Sequence, residues 1–280
     1  IPTKALLRSA EILSLARDAW RYGVRVGEVS HDWAAVQARK SRVVAQLVGG
    51  VEKLLARAGV QLLAGTARFV REHTLVIDSA TGVETVEAET IIIATGSRTL
   101  VVPVPGLDDH DILDSTSALA LESLPQSLCI IGSGAIGTEF ASLFATFGVE
   151  VTLVEMLPRI APLMDQSIGE GLAWSLGQRG VRILTGARVT KVERLDKGYR
   201  TTLQTAEGVQ TIETERVMSA IGRTPNVEGL GLETIGLQPT RKGIRVDEHL
   251  RTATPGVYAI GDVASEGPML AHVAAHQGVV

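Results

Sequence analysis

The stretch Leu128-Cys129-Ile130-Ile131-Gly132-Ser133-Gly134-Ala135-Ile136-Gly137 decides the fold. A continuous apolar run leads into glycines spaced Gly-x-Gly-x-x-Gly, and the proline-free segment Ala135 to Phe147 follows with a helical pattern. A second apolar run, Glu150 to Val154, then ends at the acidic Glu155. Strand, tight turn, helix and strand in this order predict a βαβ unit.

Each residue of the turn has a physical task. Gly132 permits the turn, Gly134 lets backbone approach a pyrophosphate, and Gly137 lets the helix sit close to the strand. The helix N-terminus supplies unpaired N–H groups and a partial positive charge. Ser133, Ala135 and Ile136 fall among the expected cofactor contacts for the same reason. Glu155 is placed to accept from the ribose hydroxyls of an adenosine, and it would repel a 2′-phosphate. No arginine follows it directly; the nearest is Arg159. The pattern therefore favours NAD over NADP.

Outward from this unit, strands alternate with helices. Apolar spacing predicts helices over residues 4–21 and 32–58, the second closed by Gly59 as a left-handed cap. Alternating stretches over 67–77 and 83–88, with turn residues at 79–82, predict a small antiparallel hairpin or meander. Thr90 to Ala94 is a buried strand running into Thr95-Gly96. Residues 100–109, with Pro103, Pro105 and Gly106, read as a connection. A helix over 165–179, a strand over 181–184, alternation over 189–213 and an apolar strand over 216–222 follow. Ile93-Ala94-Thr95-Gly96-Ser97-Arg98 and Ser219-Ala220-Ile221-Gly222-Arg223-Thr224 each close a strand after a meander, so one supersecondary unit is repeated. Gly256 to Asp262 is a further strand before a helix. The whole predicts an α/β architecture with parallel sheets and β-meanders.

At 280 residues and 45% hydrophobic content, the chain can bury more than one core. A net charge of -4 without basic blocks speaks against nucleic acid as a partner. Apolar runs such as 128–131 are too short to cross a bilayer. No signal peptide is visible, and the single cysteine, Cys129, can form no disulfide within the chain. A reducing, cytoplasmic setting is expected, with Cys129 as a small core residue. The histidines His31, His73, His110, His249 and His276 show no metal-ligand spacing, so no metal is expected.

Several segments together resemble the dihydrolipoamide dehydrogenases. Ile1-Pro2-Thr3-Lys4-Ala5-Leu6 is similar to the family's stretch after the redox disulfide, and Gly137-Thr138-Glu139-Phe140 to its Gly-x-Glu element. Gly222-Arg223-Thr224-Pro225-Asn226 and Ala259-Ile260-Gly261-Asp262 resemble two later signatures. Met269-Leu270-Ala271-His272, with Gly278 beyond, resembles the flavin-side helix start. The order of matches covers essentially the whole chain. Glutathione and mercuric reductases share most of these elements but usually recognise NADPH.

The resemblance implies a two-dinucleotide-binding, Rossmann-like flavoprotein fold for FAD and NAD. Its implied domains are an incomplete FAD-binding segment at 1–99, an NAD-binding segment at 100–227, and a return to the FAD-binding or central region at 228–280. Lys4 and Glu139 would form the catalytic pair beside the flavin, argued as a buried charge needing a partner. Asp262 would hold a ribityl hydroxyl, with Leu270, Ala271 and His272 near the flavin ring. Thr95 and Gly96 would let backbone pass close to the cofactor, and Gly65 and Ala67 would lie near adenine. Val189, Gly222 and Arg223 complete the implied cofactor contacts. The family's Cys-x-x-x-x-Cys pair would end just before Ile1, and its proton-transfer His–Glu pair belongs to a C-terminal dimerisation domain. Both are absent from this sequence, so the chain by itself is expected to be inactive. The intact homodimer would reoxidise the dihydrolipoamide of a lipoyl domain, from a 2-oxoacid dehydrogenase or glycine-cleavage complex. A related NAD(P)H-dependent disulfide or mercuric reductase, and a non-catalytic NAD-binding module, are the alternatives.

Overall fold

The computed structural model describes residues 1–265 and 267–279. The chain divides into two compact units, one from Ile1–Leu55 and Val101–Gly222, the other from Ala56–Leu100 and the chain from Arg223 onward.

The first unit is built on a parallel sheet in the order Arg216–Ser219, Ser127–Ile131, Glu150–Val154, Arg182–Leu184. The central strands read as unbroken apolar runs because both faces are covered. Leu128 and Ile130 pack into one core with Phe140, Leu143 and Phe144 of the helix Ala135–Thr146. Cys129 and Ile131 point into the other core with Val189, Leu203 and Val217. The antiparallel meander Arg188–Arg194, Tyr199–Thr205, Gly208–Thr214 covers that second face. Burying each large side chain such as Phe144 or Leu143 stabilises the unit by about 1.5–3 kcal/mol.

Two N-terminal helices complete the first face. Pro2–Asp18 buries Ala5, Leu6, Ala10 and Leu13 against the helix Ala135–Thr146. Trp33 opens the helix Trp33–Arg57, stacks edge-on against Phe147, and donates its indole N–H to the Leu121 carbonyl at 2.9 Å. Residues 1–55 thus pack with 101–222. The expected helix over 4–21 ends at Asp18 and continues as the 3-10 turn Ala19–Tyr22. Beyond Val36, the apolar stripe of the second helix does not enter this core: Leu47, Val51 and Leu54 are exposed.

In the second unit, the expected alternating stretch 67–77 is two strands. Thr66–Arg71 and Thr74–Ser79 turn at Glu72-His73, where His73 adopts φ 61°, and Gly82–Glu87 adds the third strand. Periodicity alone ran across that turn because neither turn residue is a glycine or proline. Ile91–Ile93 pairs in parallel with Val257–Ala259 over a core of Phe69, Ile235, Ile244 and Val263. The two repeated tails meet: Ser97–Thr99 pairs antiparallel with Arg223–Pro225. The strand expected over 216–222 ends at Ser219, which frees Arg223 for this pairing. Among the described residues no helix is long and apolar enough to cross a membrane.

Candidate functional site

In the first unit the three turn glycines are demanded by different neighbours. Gly132 has φ 99°, and a Cβ there would lie 2.5 Å from the Ala220 carbonyl oxygen. A Cβ on Gly137 would sit 1.9 Å from the Gly132 carbonyl oxygen, so the helix can approach its strand only with hydrogen at that position. Gly134 meets nothing within 4 Å. It caps the helix Ala135–Thr146 without any side-chain hydrogen bond. The first N–H groups of a helix have no partner within it, and here Gly134 and Ala135 are exposed. This open, donor-rich helix start suits a pyrophosphate.

Glu155 lies at the end of the neighbouring strand and is 8% exposed. Its Oε2 accepts from the Ser133 N–H at 2.9 Å and the Ser133 hydroxyl at 2.6 Å, while its Oε1 accepts from the Leu157 N–H at 2.9 Å. A carboxylate offers about four acceptor positions, so roughly one is left for a ribose hydroxyl. The site fits an adenosine dinucleotide. Glu155 is nonetheless more committed to its own protein than the glycine pattern alone implied.

Lys4 and Glu139 form an ion pair across the two packed helices. The burial argument for it needs correction: the Lys4 side chain is 69% exposed. The pair stands outside the core made by Leu6 and Phe140. The Val189 side chain is buried with Ile131 and Val154. Gly222 has φ 140°.

In the second unit Asp262 is not a helix cap. Its Oδ2 accepts from the Ser97 hydroxyl at 2.5 Å, and the same Ser97 oxygen accepts from Arg223 Nε at 2.7 Å. Arg223 Nη2 also donates to the Ser97 carbonyl at 2.5 Å. The carboxylate is held through one hydroxyl, which leaves it acceptor capacity for a sugar hydroxyl. Sequence reading named Asp262 and Arg223 but not Ser97. The signal was the repeat itself, since pairing its two tails brings Ser97 beside Arg223.

The other expected flavin-side residues are less built. Thr95 donates its hydroxyl to the Asn226 carbonyl at 2.8 Å, and Gly96 takes φ 70°. Gly65 is required by close packing, since a Cβ would lie 2.6 Å from the Asp78 carbonyl oxygen, and Ala67 pairs with Ile77 in the adjoining strand. Leu270, Ala271 and His272 are exposed at the start of the seven-residue helix Ala271–Gln277. From the far end of that helix Gln277 Oε1 accepts from the Gly261 N–H at 2.7 Å, a contact the sequence reading missed.

Cys129 is fully buried, and burial pushes its thiol up to about 12. It stays protonated and is no nucleophile. Asp109, His110 and Asp111 bring ligand-type atoms within 4.8 Å of one another, a grouping that the spacing argument passed over. Arg194 already binds Asp111 at 2.6 Å and holds its carboxyl below the usual range.

The family described as pyridine nucleotide-disulphide oxidoreductase matches residues 1–278, and the chain belongs to it. Among similar proteins is the dihydrolipoyl dehydrogenase of Bacillus subtilis, 39% identical over 284 residues that cover all of this chain and 61% of the relative. The dihydrolipoyl dehydrogenase of Acholeplasma laidlawii is 37% identical, covering all of this chain and 81% of the relative. LpdA from Mycobacterium tuberculosis superposes with a TM-score of 0.90 at 30% identity, over 99% of this chain and 61% of that one. The HOCl-induced flavoprotein disulfide reductase RclA from Escherichia coli gives 0.85 at 29% identity, over 99% and 58%. The chain spans about three fifths of the length of most of these relatives.

Proposed function

We propose that this chain carries the NAD site and part of the FAD site of a dihydrolipoyl dehydrogenase. The observation that carries the reading is Glu155, buried and hydrogen-bonded at the strand end beside an open glycine turn, within a chain 36–40% identical to proteins of that name. In this reading residues 1–99 and 228–280 serve FAD and residues 100–227 serve NAD.

The residues divide the work. The helix start at Gly134 to Gly137 binds the pyrophosphate, and Glu155 receives the ribose. Lys4 and Glu139 are the proposed charged pair beside the flavin. Asp262, held by Ser97 and Arg223, receives a ribityl hydroxyl. When bound, FAD and NAD supply the electron and hydride chemistry, while the protein supplies orientation and exclusion of water. Cys129 is buried, so the dithiol–disulfide step of this reading draws on cysteines outside these 280 residues. The lipoyl domain of a 2-oxoacid dehydrogenase or glycine-cleavage complex is the proposed electron donor. The proposed assembly is a homodimer and the proposed location the cytoplasm.

A second reading is a related flavoprotein disulfide reductase, favoured by the similarity to RclA. Assays of the intact polypeptide with dihydrolipoamide and NAD, against disulfide substrates with NADH or NADPH, separate the two. Turnover with dihydrolipoamide and NAD supports the first. Turnover only in the reductive direction with another disulfide supports the second. Titration of this chain with NADH and NADPH tests the site itself: NADH is expected to bind in preference, and Glu155→Ala to remove the preference.

A further inference from the structure

Ser133 occupies the first variable position of the glycine turn, where side-chain identity is not dictated by the turn geometry. It is fully buried, and every polar group it owns is engaged. Its N–H and its hydroxyl both donate to Glu155 Oε2, and its carbonyl accepts from the Ala161 N–H at 3.0 Å. Ala161 adopts φ 46°, a left-handed conformation that a non-glycine residue keeps only where its surroundings hold it. The segment after Glu155 is tied down at a second point, since the Leu157 N–H donates to Oε1. Both oxygens of Glu155 are thus fixed, one by Ser133 and one by the following loop.

A pinned carboxylate differs from a mobile one in how it discriminates. A carboxylate free to rotate can swing away from an incoming phosphate and lose much of its repulsion. One held at both oxygens cannot, and its remaining acceptor position accepts a hydroxyl, which can donate, but not a phosphate oxygen, which cannot. We infer that Ser133 is the specificity-determining positioning residue of the adenosine site: its hydroxyl locks Glu155 so that unphosphorylated ribose is accepted and a 2′-phosphate refused. This rests on the NAD-site reading above and assigns the discrimination to a pair of residues.

The test is a double-mutant cycle read by NADH and NADPH titration of the protein, with thermal melting to confirm folding. Variants are Ser133→Ala, Glu155→Ala and the double substitution. Ser133→Ala is expected to lower the NADH-to-NADPH affinity ratio roughly tenfold, the scale of losing one hydrogen bond to a charged group. In the Glu155→Ala background the same substitution should leave the ratio unchanged, because Ser133 acts through the carboxylate. Ser133→Gly deletes the same hydroxyl with no added volume and carries the test if the alanine variant fails to fold. If Glu155→Ala abolishes the preference while removal of the Ser133 hydroxyl leaves it intact, Glu155 discriminates alone and the inference is overturned with the NAD site standing. An equal loss in both backgrounds makes Ser133 a general structural residue and overturns it too. A wild-type protein without preference, unchanged by Glu155→Ala, overturns the NAD-site reading and this inference together.

Discussion

Glu155 and Asp262 are both carboxylates placed just after a strand of a parallel pair, yet they are prepared in different ways. Glu155 is buried and takes three hydrogen bonds, two of them from backbone N–H groups of its own turn and loop. Asp262 is half-buried and takes one, from a hydroxyl that Arg223 in turn holds. The first carboxylate is part of the local backbone design, so it comes with the glycine turn. The second depends on two chain segments 126 residues apart in sequence finding their register.

The contrast can be broken most forcefully at the glycines. Gly137→Ala drives a methyl into the Gly132 carbonyl, and overpacking of this kind costs roughly 1–3 kcal/mol or more. Chemical denaturation should show the loss, together with loss of NADH binding. Gly134→Ala, facing open space, is expected to leave the denaturation midpoint close to wild type while NADH binding falls. Equal destabilisation by both substitutions would remove the distinction between a packing glycine and a ligand-facing one.

An effect of comparable size is expected from the carboxylate itself. Glu155→Ala leaves the buried Ser133 N–H and hydroxyl without their acceptor, at a cost of about 1–3 kcal/mol per orphaned group. A fall in the denaturation midpoint even without nucleotide would show that Glu155 serves the fold as well as the ligand.

The long-range counterpart should be gentler on stability. Ser97→Ala disconnects Asp262 from Arg223 at a half-buried position where water can substitute, so about 0.5–1.5 kcal/mol is expected. The informative measurement is FAD affinity of the intact polypeptide, followed by quenching of flavin fluorescence. A several-fold loss is expected for Ser97→Ala, and Ser97→Thr, which keeps the hydroxyl, should restore it. No change in FAD affinity would remove Asp262 from its proposed role or show that it needs no support.

Least affected of all should be stability on replacing Lys4. Exposed ion pairs contribute about 0–1 kcal/mol, and Lys4 is well exposed. Lys4→Met is expected to shift the melting temperature little, while in the intact enzyme it alters the visible spectrum of the bound flavin. A large drop in melting temperature would instead make the Lys4–Glu139 pair a structural clamp between the helices.

Much of this was legible in the residues alone, and the exceptions share a cause. The βαβ unit, its three glycines and the strand-terminal Glu155 follow from local spacing, because the turn, the helix start and the next strand are neighbours in sequence. The turn at Glu72-His73 was missed because His73 supplies a positive φ without the glycine that usually announces one. The apolar spacing of Trp33–Arg57 announced the helix but not the exposure of its Leu47, Val51 and Leu54, because periodicity reports a face without saying what meets it. Ser97 stood only as a member of the repeat, because a serine after a strand-ending glycine does not by itself reveal a partner 126 residues away.

By itself, then, the sequence determined the α/β class, the glycine turn with its strand-terminal Glu155 and the family resemblance. These rest on interactions within a few tens of residues, where spacing translates directly into geometry. Only the tertiary structure decided that Ser133 pins Glu155 from a buried position, that Ser97 joins Asp262 to Arg223, and that the Lys4–Glu139 pair lies exposed. Hydrogen-bond partners and burial depend on which distant segments pack together, and that is a property of the folded chain rather than of any local pattern.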